Sequence, residues 1–316
     1  MPRLEIYRAA LYSAFALVLM FILTSPGFAQ EPGEPAGNTG DPAAEPPSRS
    51  LVWTGTGEGS LNQTFPEAAA WLTLDEGDRV LGLFYPQAGP QARGAVLVLA
   101  DEGETAASGV TGPLAAGLAS RGWAVLTLGL ESPAPMLHQV LMRPAVMRSA
   151  AATDAEQQST SDSVMIDVMS PGDTDDLEAR FRNRIGQTLQ AGQALLVERG
   201  YEAPAVVGVG RASIHVTNRL LEGADASALI WVAPWFYPTD RTDLPERLES
   251  LSTPLLELYP SGSDTGQDSW SMGMRLRRAG ISGFERQPVP WFSSATGVAG
   301  DVVASRIAAW LESRRR

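Results

Sequence analysis

Short apolar runs recur along the chain, each bounded by turn residues and followed by a segment with helical spacing. The central runs are too uniformly apolar to alternate, which is typical of strands that a sheet buries on both faces. Alternation of such strands with helices predicts βαβ units and a parallel sheet. The predicted strands cover residues 95–100, 124–130, 205–209, 228–233, 255–259 and 284–290.

A hairpin and six helices complete the predicted architecture. Residues 70–74 and 79–85 are separated by Asp75, Glu76 and Gly77, which predicts a β-hairpin at one edge of the sheet. The expected fold class is α/β: a three-layer α/β/α sandwich with a mostly parallel sheet and an edge hairpin near the N-terminus. The predicted helices cover residues 112–121, 175–199, 211–221, 244–251, 266–278 and 298–314.

The first 29 residues have the layout of a secretory signal peptide. Arg3 and Arg8 precede the apolar residues 9–23, and small residues at Gly27 and Ala29 end the segment. This apolar stretch is shorter than the roughly 20 residues that span a bilayer, so cleavage after Ala29 is expected instead of a membrane anchor. We therefore expect a periplasmic protein with no stable membrane span after cleavage.

Two stretches lack the apolar residues that packing requires. Residues 30–50 are rich in Pro, Gly, Ala and Glu and predict a disordered linker. Residues 149–173 are rich in Ala, Ser, Thr and Gln and predict a mobile insertion within the folded domain, which spans residues 51–316.

Composition and charge remove several classes of function. The formal net charge is -12 at pH 7, so the surface repels the phosphate backbone of nucleic acids. The chain has no cysteine, which excludes disulfides, thiolate nucleophiles and cysteine-ligated metals. The acidic cluster at residues 173–176 lacks the ligand spacing of a calcium loop and fits the N-terminus of a helix. Neither a metal nor another cofactor is expected.

The end of the predicted strand 205–209 is a place where an open α/β sheet carries chemistry. The residues Gly208-Val209-Gly210-Arg211-Ala212 follow the pattern of G-x-S-x-G, the tight turn that presents the nucleophilic serine of α/β-hydrolases. Gly210 stands where that serine is required, so this turn has no hydroxyl nucleophile. The same segment departs from the dinucleotide fingerprint G-x-G-x-x-G, because the third glycine is replaced by serine.

Two further strand ends supply an acid but no base. Asp264 follows strand 255–259, where such hydrolases place the acid of the triad, whereas Trp291 and the two residues after it follow strand 284–290, where they place histidine. The only histidines are His138 and His215. A helix directs Ser213 and His215 about 200° apart, which excludes a dyad between them.

The candidate crevice residues are those that the strand ends bring to one edge of the sheet. Aromatic side chains at such an edge suit ligand binding, and ordinary core packing is the alternative. An arginine at the start of a helix pairs either with a bound anion or with the acid at position 264. The candidates are Asp101, Gly210, Arg211, Trp235, Asp264 and Trp291.

The chain resembles the domain of unknown function 3530 family, which comprises exported bacterial proteins of α/β-hydrolase type. The resemblance rests on residues 66–72, 94–99, 112–114 and 122–126, and in the second half on Gly208-x-Gly210, residues 253–259, Arg286-Gln287 and Pro290. It implies an α/β-hydrolase-like fold and no particular activity. Where relatives tend to show a Gly-rich turn with a nearby histidine, this chain has Asp101-Glu102-Gly103-Glu104, and an acidic turn is expected to repel an oxyanion.

The expected function is that of a non-catalytic periplasmic protein. Its hydrolase-like scaffold lacks the catalytic serine and histidine and is expected to bind a small molecule or a component of the cell envelope. The alternative is a hydrolase with non-standard catalytic residues, Asp264 and Asp101, acting on water.

Overall fold

The computed structural model describes residues 56–75, 77–143, 171–261, 265–290 and 297–315. Within them, eight strands form one sheet in the order β1-β2-β4-β3-β5-β6-β7-β8. The pairs β1/β2 and β2/β4 are antiparallel and all others are parallel, so the predicted hairpin and the mostly parallel sheet are confirmed. The strands are β1 (Ala69–Thr73), β2 (Arg79–Tyr85), β3 (Ala95–Glu102), β4 (Ala124–Leu130), β5 (Ala205–Val209), β6 (Leu229–Val232), β7 (Leu255–Ser261) and β8 (Phe284–Pro290).

Helices connect the strands and cover both faces of the sheet. They are α1 (Glu58–Thr64), α2 (Thr111–Ser120), α3 (Pro135–Leu141), α4 (Pro171–Glu198), α5 (Ala212–Leu221), α6 (Pro238–Leu248), α7 (Thr265–Arg278) and α8 (Gly297–Arg314). The short helices α1 and α3 were not predicted. Two helices begin four or more residues earlier than predicted, α6 at Pro238 and α4 at Pro171, because proline fits the first turn of a helix.

The alternation of side chains along the strands explains the three layers. On β3, Leu97 and Leu99 belong to the core under α4 and α5, whereas Val96 and Val98 belong to the core under α2 and α8. Successive side chains of a strand point to opposite faces, so an uninterrupted apolar run fills two cores at once. The predicted α/β/α sandwich is therefore confirmed.

Several of the predicted segments lie outside the residues that the structure describes. The predicted signal peptide, the linker at 30–50 and residues 149–170 of the predicted insertion lie outside the described residues. The last three residues of that insertion, 171–173, belong to α4. No helix in the described part of the chain combines the length and the apolar character needed to cross a membrane.

Candidate functional site

The turn between β5 and α5 has the geometry of a nucleophile elbow. Gly210 forms its apex with a φ of +55°, in the left-handed region that favours glycine. A β-carbon on Gly208 would stand 2.6 Å from the Cα of Ser213, so the strand and the helix approach too closely for a side chain there. This strand–turn–helix arrangement is the one that presents the nucleophile in α/β-hydrolases.

The carboxylate of Asp101 lies against this apex. Its Oδ1 accepts a hydrogen bond from the backbone N–H of Glu102 at 2.8 Å and another from that of Arg211 at 2.9 Å. A β-carbon at position 210 would stand 2.2 Å from the carboxyl carbon. Burial raises the pKa of Asp101 above its ordinary value, although both backbone hydrogen bonds lower it.

The two N–H groups that donate to Asp101 have the positions of oxyanion-hole donors. In enzymes with this elbow, one donor is the N–H after the nucleophile and the other comes from the loop after the third strand. Here these positions belong to Arg211 and Glu102, and both donors serve one carboxylate oxygen. Asp101 of the acidic turn therefore places its own carboxylate at the position that an oxyanion would take.

Glu102, the residue after Asp101, forms a polar cluster with Tyr237, Arg211 and His138. Its Oε2 accepts a hydrogen bond from the hydroxyl of Tyr237 and lies 3.9 Å from Nη1 of Arg211. Its Oε1 lies 3.2 Å from Nδ1 of His138, whose side chain is 41% exposed. Burial, followed by the hydrogen bond to Glu102, raises the pKa of Tyr237 far above its ordinary value. The tyrosine is therefore a neutral donor to a carboxylate.

Arg211 joins the cluster to the surface. Its Cζ lies 4.7 Å from the ring centroid of Trp235 and 4.8 Å from that of Tyr237, which are cation–π distances. Its Nη1 donates to Sδ of Met142 at 3.2 Å. Trp235 is 45% exposed, whereas the side chain of Arg211 is buried. The buried arginine thus links the polar cluster to the exposed ring of Trp235.

The sequence profile of one protein family matches most of the chain. The sequence profile described as "Protein of unknown function (DUF3530)" matches residues 12–275. The chain belongs to the DUF3530 family. None of the curated protein sequences matches it.

Solved structures similar to this DUF3530 protein include esterases. An esterase from Pyrococcus furiosus superposes with a TM-score of 0.51 at 13% identity, over 88% of this chain and 100% of the esterase. A second crystal form of an esterase from that organism gives 0.50 at 12% identity, over 77% and 91%. The esterase domain of a Rhodothermus marinus protein gives 0.48 at 12% identity, over 78% and 97%. At such identities the likeness shows the fold alone, and that fold is α/β-hydrolase-like.

The structure of the DUF3530 chain brings four of the six candidate residues together: Asp101, Gly210, Arg211 and Trp235. Asp264 and Trp291 lie outside the described residues. The crevice also contains three residues absent from the candidate set, Glu102, His138 and Tyr237. The position of Glu102 directly after Asp101 at a strand end was a usable signal. Nothing in the local sequence placed α3 and its histidine beside it.

The remaining serine and histidine near the elbow are buried side chains. Ser213 is buried and its hydroxyl donates to the carbonyl of Gly208 at 3.1 Å, so it is a helix-start serine. His215 is buried as well, and burial lowers its pKa to about 3. Among the aromatic residues, Trp231 and Phe236 pack edge to face in the core with centroids 5.1 Å apart. Core packing thus accounts for these two, and Trp235 is the exposed one.

Proposed function

We propose that this DUF3530 protein is a non-catalytic periplasmic protein that binds a small molecule or a component of the cell envelope. The observation that carries the proposal is the double hydrogen bond from the N–H groups of Glu102 and Arg211 to Asp101. Because the protein's own carboxylate accepts from both groups, neither of these two donors is free for a developing oxyanion. Loss of a single such donor typically costs about 10²–10³ in kcat.

The elbow supports the same conclusion. A serine at position 210 would require a β-carbon 2.2 Å from the carboxyl carbon of Asp101. A serine hydroxyl also needs a positioned base to take its proton. His215 is buried, and His138 directs Nδ1 at Glu102. Neither supplies the arrangement of a triad around Gly210.

The exposed rim of the crevice is the proposed binding surface. Trp235 is 45% exposed and the side chain of His138 is 41% exposed, beside the buried Arg211 and the mostly buried Glu102. The exposed indole of Trp235 and imidazole of His138, beside the charged groups of Arg211 and Glu102, offer apolar and hydrogen-bonding contacts to a small ligand. Residues 1–29 direct export in this proposal, and mass spectrometry of periplasmic extracts should find a mature terminus at Gln30.

A hydrolase that uses Asp101 and Asp264 with water is the second candidate. One observation favours it, because a carboxyl group with a raised pKa in a crevice is a common form of general acid or base. The two backbone hydrogen bonds to Asp101 oppose it, since they hold one of its oxygens away from a water molecule.

Labelling and turnover measured on the same protein separate the two candidates. The purified protein is incubated with a fluorophosphonate probe and with short acyl esters, and Asp101→Asn serves as the matched variant. We expect neither labelling nor turnover above the buffer rate for either protein. Stoichiometric labelling of a serine would overturn the proposal. Ester turnover that Asp101→Asn abolishes would also overturn it and would establish the second candidate.

A further inference from the structure

A cleft lies between α4 and α5, apart from the crevice. It has a volume of about 360 Å³, within the roughly 300–1,000 Å³ typical of small-molecule sites. The ring of Phe181 on α4 meets His215 on α5 edge to face at 5.8 Å, which fixes the two helices beside the cleft. Its lining residues are Asp75, Ala179, Arg182, Asn183, Ile185, Gly186, Gln187, Gln190, His215, Asn218, Arg219 and Glu222.

The spacing of these residues makes the cleft a continuous polar seam. Most of the α4 residues recur at intervals of three and four, and so do His215, Asn218 and Arg219 on α5 with Glu222 directly after it, so each set occupies one helix face. Where two helices pack, such faces are normally apolar. A β-carbon on Gly186 would meet nothing within 4 Å, so the seam is open and not filled.

Hydrogen-bonding capacity in the cleft is largely unused by the protein. The carboxamides of Asn183, Gln187 and Gln190 make no side-chain hydrogen bond within the part of the chain that the structure describes. Asn218 uses only Oδ1, which accepts from Arg247 at 2.6 Å. Each carboxamide offers both donors and an acceptor, the combination that hydroxyl groups match.

Two of the lining residues also carry a buried nitrogen that lacks a partner. Nε2 of His215 and Nε of Arg219 are buried without a hydrogen-bond partner among the described residues. Such atoms are uncommon in folded proteins because an unpaired buried polar group is costly. Burial and the charge of Arg182 lower the pKa of His215 to about 3, so its ring is neutral at pH 7. A ligand that hydrogen-bonds without carrying charge suits this wall.

The charges around the cleft balance. Arg182 and Arg219 line it together with Asp75 and Glu222. Arg182 pairs with Glu178 at 2.9 Å and with Asp240 at 3.1 Å, and Arg219 lies 3.7 Å from Glu222, so each arginine of the cleft already has a carboxylate beside it. No residue that lines the cleft in the described structure is phenylalanine, tyrosine or tryptophan, which disfavours a flat aromatic ligand.

We propose that this cleft binds a neutral, hydroxyl-rich ligand of the size of a mono- or disaccharide. Carboxamides on both helices contact its hydroxyl groups, and the balanced charges select against ionised sugars. The cleft shares no lining residue with the crevice cluster around Asp101. This binding is therefore independent of whether the crevice catalyses a reaction.

A titration of the purified, isotope-labelled protein followed by NMR tests the proposal. D-glucose, N-acetyl-D-glucosamine, trehalose and myo-inositol are added singly to about 20 mM, above the millimolar dissociation constants of weak ligands. Gluconate and glucosamine provide the ionised counterparts. We expect at least one neutral probe to shift the side-chain amide signals of Asn183 and Gln187 saturably. If no neutral probe shifts these signals, or if only the ionised sugars do, the proposal is overturned.

Two leucine variants on α4 locate the binding. Gln187→Leu removes a carboxamide from the cleft and should weaken the responding ligand about tenfold, as the loss of one hydrogen bond predicts. Gln193→Leu is the matched control, because Gln193 lies on the same helix outside the cleft and donates to the carbonyl of Asp225. Equal affinities for both variants overturn the assignment of the ligand to this cleft.

Discussion

The carboxyl carbon of Asp101 lies 2.2 Å from the point where a β-carbon at residue 210 would stand, so Gly210 and Asp101 occupy one space. Glycine at the apex is what allows the carboxylate to reach the N–H groups of Arg211 and Glu102. The absence of a side chain at Gly210 and the position of the Asp101 carboxylate are thus two parts of one arrangement. A serine at position 210 and the present position of Asp101 exclude each other.

Replacement of Gly210 by alanine should destabilise the protein. The residue has a φ of +55°, where a β-carbon costs about 1–2 kcal/mol, and the forced displacement of Asp101 adds a cost of similar size. We expect a loss of about 3 kcal/mol in the free energy of unfolding, measured by urea denaturation. Gly186→Ala is the control, because its β-carbon enters open space inside a helix and should stabilise by up to about 1 kcal/mol.

The same substitution in an Asp101→Gly background isolates the contact between the two residues. Without the carboxylate, Gly210→Ala should cost only the backbone part, about 1–2 kcal/mol. The difference between the two backgrounds is the coupling energy of the pair. Equal costs in both backgrounds would show that residue 210 and Asp101 do not compete for space.

The pH dependence of stability should reveal the carboxyl group of Asp101. Its folded-state pKa is raised above the ordinary value of 3.8, so the folded protein holds this proton more tightly than the unfolded chain. Its contribution to stability is therefore complete below pH 3.8 and declines as pH rises through the raised pKa. Relative to Asp101→Asn, the wild type should lose stability from about pH 4 upward, measured by denaturation at several pH values. A difference that grows in the opposite direction would mean that the two N–H bonds outweigh burial.

His215 should produce a slope of the opposite sign. Its pKa falls from 6.5 to about 3 on burial, so the unfolded chain binds the proton between these values and the folded protein does not. Its contribution is complete above pH 6.5 and is lost as pH falls toward 3, with a limiting slope of about 1.4 kcal/mol per pH unit. Denaturation of His215→Gln between pH 4 and 7 should show a shallower slope than the wild type.

The second histidine provides the control for this measurement. His138→Gln changes a side chain that is 41% exposed, and the acid-side slope of the wild type should persist in it. If His215→Gln and the wild type had the same slope, the imidazole of residue 215 would not be the group that titrates.

The sequence predicted the sheet well because a buried strand is recognisable from the local pattern of apolar and turn residues. Runs such as 95–100 are apolar throughout, and the hairpin at 70–85 has its turn residues between two strands. Helices α1 and α3 have only seven residues each, too few for a periodic pattern to distinguish them from loops. The start of α6 at Pro238 was missed because the apolar positions begin only at Leu244.

The site was predicted less completely because its contacts are distant in sequence. Because chemistry in an open α/β sheet lies at the strand ends, the sequence predicted that Asp101, Gly210 and Arg211 lie close together. It did not predict the hydrogen bonds between them. Occupation of the two N–H groups by Asp101 depends on the angle between β3 and the elbow, which no local pattern encodes. His138 reaches Glu102 only through the position of α3, a helix that the sequence did not predict.

Acetate binding to the elbow tests most directly whether the protein's own carboxylate occupies its anion position. Acetate is titrated into the wild type, Asp101→Gly and Asp101→Asn while the backbone amide signals of Glu102 and Arg211 are followed by NMR. Asp101→Gly should bind acetate at these amides at least about tenfold more tightly than the wild type, because two charge-assisted donors become free. Asp101→Asn should resemble the wild type, since its carboxamide still fills the space. Acetate binding to the wild type at these amides with the affinity of Asp101→Gly would contradict the account.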